Sequence, residues 1–122
     1  YAMNQNYSEA EDIFFELYEQ EQSNIILAQS LAYCYMKNGK PKESIAIYEK
    51  LYKENPYQEN IANNYFLLLL ESKKVEEAKS VLETFKIDFP ESTKISVLEE
   101  NLKKATEVLE KTENKDIEQT EN

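Results

Sequence analysis

Ile25, Leu27, Ala28, Leu31, Ala32, Tyr35 and Met36 recur at spacings of three and four, which places one apolar stripe on a helix over residues 24–38. Asn24 suits its N-cap, and Asn38-Gly39 suits its end, with Gly39 at the left-handed position past the last turn. Pro41 opens the next helix, where a missing N–H costs little. Its stripe is Ile45, Ile47, Tyr48, Leu51 and Tyr52, and Asn55-Pro56 closes it. Residues 58–72 and 74–88 carry the same pair of patterns again, closed by Pro90. Upstream, Ala10, Ile13, Phe14, Leu17 and Tyr18 mark a helix over 7–21, with Gln22 where a closing proline would fall. Downstream, Ser92 and Thr93 precede a last helix to about Thr112, through Ile95, Leu98, Leu102, Ala105 and Leu109. Residues 113–122 are polar apart from Ile117 and are expected to form a disordered acidic tail.

The helix pairs are copies. Ala10-x3-Phe14-x2-Leu17 returns as Ser44-x3-Tyr48-x2-Leu51 and as Ala78-x3-Leu82-x2-Phe85, at the same offset both times. Pro56 returns as Pro90 at that offset, and Tyr1 and Asn4 return as Tyr35 and Asn38. A regular period of this length implies stacked copies of one supersecondary unit, each needing its neighbours to bury its apolar face. It argues for a binding scaffold and against a single enzyme core.

The residues of these copies resemble the tetratricopeptide repeat. The middle copy carries Leu31-Ala32-x2-Tyr35, Ser44-x3-Tyr48 and Pro56, with Ala28 in place of the usual Trp. The third carries Tyr65-Phe66-x2-Leu69, Ala78-x3-Leu82 and Pro90, and departs from the family at Phe66, where a small residue normally lets two helices approach closely. The resemblance implies an all-α solenoid of antiparallel helix pairs, A and B, wound as a right-handed superhelix with a concave inner face. On that reading 1–24 is a partial repeat, 25–58 and 59–92 are full repeats, 93–112 is a C-terminal capping helix and 113–122 is the tail. Tyr1 falls late in an A helix, so the chain is expected to be a fragment of a longer protein, with Ile13 and Phe14 partly uncovered.

Composition narrows the chemistry. One Gly and three Pro in 122 residues suit helices with short connections. Lys and Arg total 14 against 24 Asp and Glu, a net charge of −10, which disfavours nucleic acid and anionic membrane surfaces as partners. The longest apolar run, residues 65–70, is far short of the roughly 20 residues that span a bilayer and reads as a helix apolar all round. There is no His, and Cys34 has no basic neighbour, so it reads as a small buried hydrophobe. Glu76, Glu77 and Glu83 alternate with Lys73, Lys74, Lys79 and Lys86, the mixture of a solvated face. No catalytic, metal or cofactor residues are expected. No targeting leader is visible, and a soluble chain of the cytoplasm, or of the periplasm if bacterial, fits equally.

The resemblance assigns the groove to the A helices. Its lining is then Ile26, Gln29, Ser30, Tyr33 and Lys37 in the middle repeat, and Asn60, Asn63, Asn64, Leu67 and Glu71 in the third. Lys94, Val97 and Asn101 follow in the closing helix. Asn amides offer a peptide backbone both donors and acceptors, and Tyr33 and Leu67 offer apolar contact. Ser30 and Asn60 stand where relatives that grip a C-terminal carboxylate carry Asn and a basic residue, so such a clamp is not expected. The expected function is non-catalytic binding of a peptide or partner segment. The alternatives are self-association through the convex face or the last helix, and a regulatory repeat region of a larger protein.

Overall fold

A computed structural model describes the backbone of residues 2–121 and the side chains of residues 7–111. Six helices follow one another: α1 Ala2–Gln20, α2 Ile25–Lys37, α3 Pro41–Glu54, α4 Glu59–Glu71, α5 Val75–Asp88 and α6 Ile95–Glu121. They form two compact units, residues 1–61 and 62–122, each described by itself below.

The period seen in the sequence is a period of the backbone. α2 and α4 begin at Ile25 and Glu59, and α3 and α5 at Pro41 and Val75, so both pairs are related by the offset that relates the sequence motifs. The turns repeat bond for bond. Lys40 N–H donates to Tyr35 O, and Lys74 N–H to Leu69 O, both at 2.8 Å. Gly39 N–H donates to Met36 O at 3.2 Å and Lys73 N–H to Leu70 O at 3.0 Å. These bonds satisfy carbonyls that a helix end leaves open. The B helices end alike, with Asn55 N–H on Leu51 O and Phe89 N–H on Phe85 O, both at 2.8 Å.

Local chemistry explains the boundaries. The Asn24 side chain accepts from Leu27 N–H at 3.1 Å and caps α2. Pro41 starts α3 where its missing N–H breaks no bond. The turn signals are confined to the middle of the chain, and this explains the two ends. One period before Gly39 stands Gln5, and one period after Lys73 stands Glu107, and both lie inside unbroken helix. Gln5 and Tyr7 replace the Gly39 and Pro41 signals upstream, so α1 runs back to Ala2, where the sequence predicts a start near residue 7. α6 has the bounds Ile95–Glu121. The expected tail over 113–122 falls on residues whose side chains lie outside those described, and so does the placement of Tyr1.

In the first unit α2 packs between α1 and α3. Ala28, Leu31 and Ala32 of α2 form the core with Ile47 and Leu51 of α3 and Ile61, and Phe14 and Tyr18 of α1 pack against it with Tyr35, Tyr48 and Tyr52. Ser44 is fully buried, and its hydroxyl donates to Ala32 O at 2.9 Å, a side chain-to-backbone bond between α3 and α2. A small residue there lets the helices meet, and the hydroxyl has a partner, so its burial is not penalised.

The second unit buries Ala62, Tyr65, Phe66, Leu68 and Leu69 of α4, and Ala78, Val81, Leu82 and Phe85 of α5. Burying each large apolar side chain contributes roughly 1.5–3 kcal/mol. Phe66, the residue furthest from the family pattern, is completely enclosed. The apolar run 65–70 is buried except at Leu67, which is exposed, and Leu70, which is half-buried. α6 packs on α5 through Leu98, which is buried, with Leu102 and Ala105 half-buried beyond it and Leu109 exposed. Lys86 of α5 pairs with Glu99 of α6.

Candidate protein-binding surface

Two helices carry the residues expected to bind. On α2, Ile26, Gln29, Ser30, Tyr33 and Lys37 recur at three- and four-residue intervals and share one face. Ile26, Tyr33 and Lys37 are exposed, and Gln29 and Ser30 are half-buried. The opposite face, Ala28, Leu31 and Ala32, is the buried core stripe. An exposed large aromatic beside a complete core is therefore not a packing residue by default.

Tyr33 has neighbours that the sequence did not bring to it. The Tyr7 ring of α1 meets it edge-on, with centroids 5.9 Å apart and planes at 65°. The Lys37 ammonium lies 5.4 Å from the Tyr33 ring centre, a cation–π distance. Hydrogen bonding to Tyr33, and then its charge, hold the Tyr7 phenol above its ordinary range. Tyr33 thus stands pre-oriented, with part of its ring committed to Tyr7 and Lys37 and the rest open. Tyr7 belongs to this cluster and was read from sequence only as part of a helix. The signal that finds it is antiparallel packing, because a turn at residues 21–24 lays the head of α1 beside the tail of α2.

On α4, Asn60 and Glu71 are exposed near the two ends. Asn63, Asn64 and Leu67 follow within the second unit. The two Asn side chains are half-buried, and Asn63 Nδ2 donates to Asn64 Oδ1 at 3.5 Å, a long bond that, among the described residues, leaves most of both amides' capacity unused. Leu67 is exposed between buried Phe66 and Leu68. Leu67 is the counterpart of Tyr33 one repeat later, so both units expose a large apolar side chain at the same repeat position. On α6, Val97 is exposed and Asn101 is half-buried, and Lys94, in the turn just before α6, is half-buried too.

Other chemistry-bearing residues are placed as follows. Cys34 is buried; burial pushes its thiol up, and the Glu11 carboxylate adds to the shift. Glu76, Glu77 and Glu83 are exposed, and Lys74 lies 3.7 Å from Glu77. Between α5 and α6 lies an open cleft of about 590 Å³, lined by Val75, Leu82, Leu102 and Leu109 together with lysines and glutamates. Among the described residues no cluster of His, Cys, Asp and Glu has the geometry of a metal site, and no helix is long and apolar enough to cross a membrane.

Helical hairpins whose lengths, turn bonds and small crossing residues return at one fixed period define an all-α helical-repeat protein. The chain belongs to the tetratricopeptide repeat family: the family model described as Tetratricopeptide repeat matches residues 35–102. No curated protein matches the chain. Repeats of this family mediate protein–protein interaction and typically serve as non-catalytic scaffolds.

Proposed function

We propose that this chain binds a segment of a partner protein through the exposed faces of its A helices. On α2 the contacts are Ile26, Gln29, Ser30, Tyr33 and Lys37. On α4 they are Asn60, Asn63, Asn64 and Leu67. The observation that carries this reading is the matched exposure of Tyr33 and Leu67, each flanked in sequence by buried residues. The two side chains supply apolar anchors, and the Asn amides supply donors and acceptors for a peptide backbone. Peptides selected from a displayed random library on the chain test it. Tyr33→Ala and Asn63→Ala/Asn64→Ala should each weaken the selected peptides about tenfold or more. Unchanged affinity in both variants rejects the reading.

A second reading rests on α6, where Val97, Val108 and Leu109 are exposed along one long helix. Self-association through it would appear as a mass that rises with concentration in sedimentation and falls when Leu109 is changed to Ser.

A further inference from the structure

Asn38 is followed by Gly39, the one glycine of the chain. Such a pair reacts with itself and needs no enzyme. The Gly39 backbone nitrogen, its proton lost to water, attacks Cγ of Asn38. A new C–N bond closes a cyclic imide, the Cγ–Nδ2 bond breaks, and the amide leaves as ammonia with protons drawn from water. A water molecule then opens the imide at either carbonyl. The product is an aspartate with the ordinary backbone link, or an isoaspartate linked through its side chain. Asparagine is a labile residue for this reason. A following glycine leaves the attacking nitrogen unshielded, because it has no Cβ. Gly39 is exposed, and a Cβ placed on it would meet nothing within 4 Å.

The folded turn keeps the two reacting atoms apart. Attack requires Gly39 N to swing toward the Asn38 side chain. With ψ at 9°, it lies almost eclipsed with the backbone nitrogen of Asn38 instead, turned away from Cβ. Gly39 N–H donates to Met36 O at 3.2 Å and Asn38 N–H to Cys34 O at 2.9 Å, so the swing breaks hydrogen bonds. The side chain is held as well. Its Nδ2 donates to Glu11 Oε1 at 2.9 Å and to Tyr7 O at 3.1 Å. Reaction waits for the turn to open.

The product cannot remake these bonds. Both partners of Nδ2, the Glu11 carboxylate and the Tyr7 carbonyl, are acceptors, and a carboxylate at position 38 has no proton to give them. It also sets a second negative charge against Glu11, which keeps Lys40 at 2.8 Å. An isoaspartate lengthens the main chain inside the turn that brings Lys40 N–H to Tyr35 O. Tyr7 carries both the carbonyl that Asn38 holds and the ring that meets Tyr33. One repeat later the same turn has Ser72 and Lys73 and lacks both reactants.

We propose that Asn38-Gly39 is a site of spontaneous deamidation, guarded by the folded turn, and that the carboxylate it forms releases Tyr7 and Glu11 of α1 from the end of α2. The reaction takes only water and runs one way. It concerns a covalent change in the turn and is independent of what the α2 and α4 faces bind.

The test incubates the 122-residue chain in mildly alkaline buffer, folded and in urea, and maps the products by mass spectrometry. In urea Asn38 should be the first asparagine converted, to both aspartate and isoaspartate. The folded chain should react there about tenfold or more slowly. Asn38→Asp installs the product directly. Its thermal midpoint should lie below that of the parent. Adding Glu11→Gln, whose amide donates where the carboxylate repelled, should recover part of the loss. A thermal transition above the incubation temperature verifies that the folded sample is folded. Four results would overturn the proposal: another asparagine reacting first in urea, equal rates in the folded and unfolded chains, an Asn38→Asp midpoint equal to the parent's, or a loss that Glu11→Gln does not recover.

Discussion

Lys73 holds the left-handed backbone, φ 63°, that Gly39 holds at the equivalent position one repeat earlier, φ 74°. Both follow an A helix, and both donate their N–H to a carbonyl three residues back. The turn geometry has been kept while the residue that makes it easy has not. An L-residue in this region crowds its own Cβ against the following carbonyl, and Gly avoids that cost. The neighbouring hydrogen bonds, above all Lys74 N–H to Leu69 O at 2.8 Å, hold Lys73 in place.

Exchanging the residues at these turns should therefore act in opposite directions. Around Gly39 an added Cβ meets no atom within 4 Å, so Gly39→Ala tests the backbone alone. It should destabilise by about 1 kcal/mol. Lys73→Gly relieves the same crowding, partly offset by the greater freedom of Gly in the unfolded chain. It should stabilise by a few tenths to about 1 kcal/mol. Urea denaturation of both variants, with unchanged slopes, checks the signs. A destabilised Lys73→Gly would show that its side chain contributes more than its backbone costs.

One position before these residues, the two turns differ in chemistry. Asn38 donates to Glu11 Oε1 at 2.9 Å and to Tyr7 O at 3.1 Å, tying its turn to α1. Its counterpart is Ser72, whose buried hydroxyl has no hydrogen-bond partner among the described residues. An unmatched buried hydroxyl costs stability that an alanine does not. Ser72→Ala should raise the unfolding midpoint in urea, by the equivalent of about 1 kcal/mol. A lowered midpoint would mean that the hydroxyl is satisfied in solution.

The helices were largely legible because their ends carry chemical signals. Asn24, Gly39, Pro41, Asn55 and Pro56 each act within a few residues, so the predicted span 24–38 and the observed α2, Ile25–Lys37, nearly coincide. The start of α1 was missed for the same reason, since nothing in residues 1–7 resembles the Gly39 and Pro41 signals. Cys34 was read correctly as interior by its surroundings in the helical period, whereas the 65–70 run, expected to be covered all round, is open at Leu67 and half-open at Leu70. The Tyr7–Tyr33 contact, the Glu11 latch and the backbone of Lys73 were not legible. The first two join residues distant along the chain, and the third sets a side chain against its own preference. The α2 and α4 faces were marked by family resemblance, and so was the exposure of Ile13 on α1.

Cys34 should be chemically quiet. It is 3% exposed, and burial, aided by the Glu11 carboxylate, pushes its thiol above the ordinary range. Since the thiolate is the nucleophile, both effects slow its reaction. The native chain should react with a disulfide reagent at pH 8 about tenfold or more slowly than the urea-unfolded chain. Cys34→Ser should destabilise by about 1–3 kcal/mol if the new hydroxyl finds no partner. A native rate equal to the unfolded rate would mean that α2 opens readily.

Glu11 links three helices of the first unit through one carboxylate. Its Oε2 lies 2.8 Å from Lys40 Nζ, just ahead of α3, and its Oε1 accepts from Asn38 at the end of α2. Burial alone would raise its pKa, but the hydrogen bonds from Lys40 and Asn38, with the Lys40 charge, outweigh that and hold it below the ordinary range. A carboxylate whose folded pKa is lowered contributes stability that is fully present above its unfolded pKa, about 4.3. That contribution fades as pH falls below this value and is gone once the folded pKa has been passed. Lys40, raised by the same pair, adds its share at neutral pH and loses it only in strongly alkaline solution. Glu11→Gln keeps the size of the side chain and an acceptor for Asn38 while removing the charge. Its thermal midpoint should lie below that of the parent at pH 7, and the gap should narrow as the pH falls below about 4.3. A difference that persists undiminished at pH 3 would mean that Glu11 acts through packing, and that the ion pair with Lys40 is incidental.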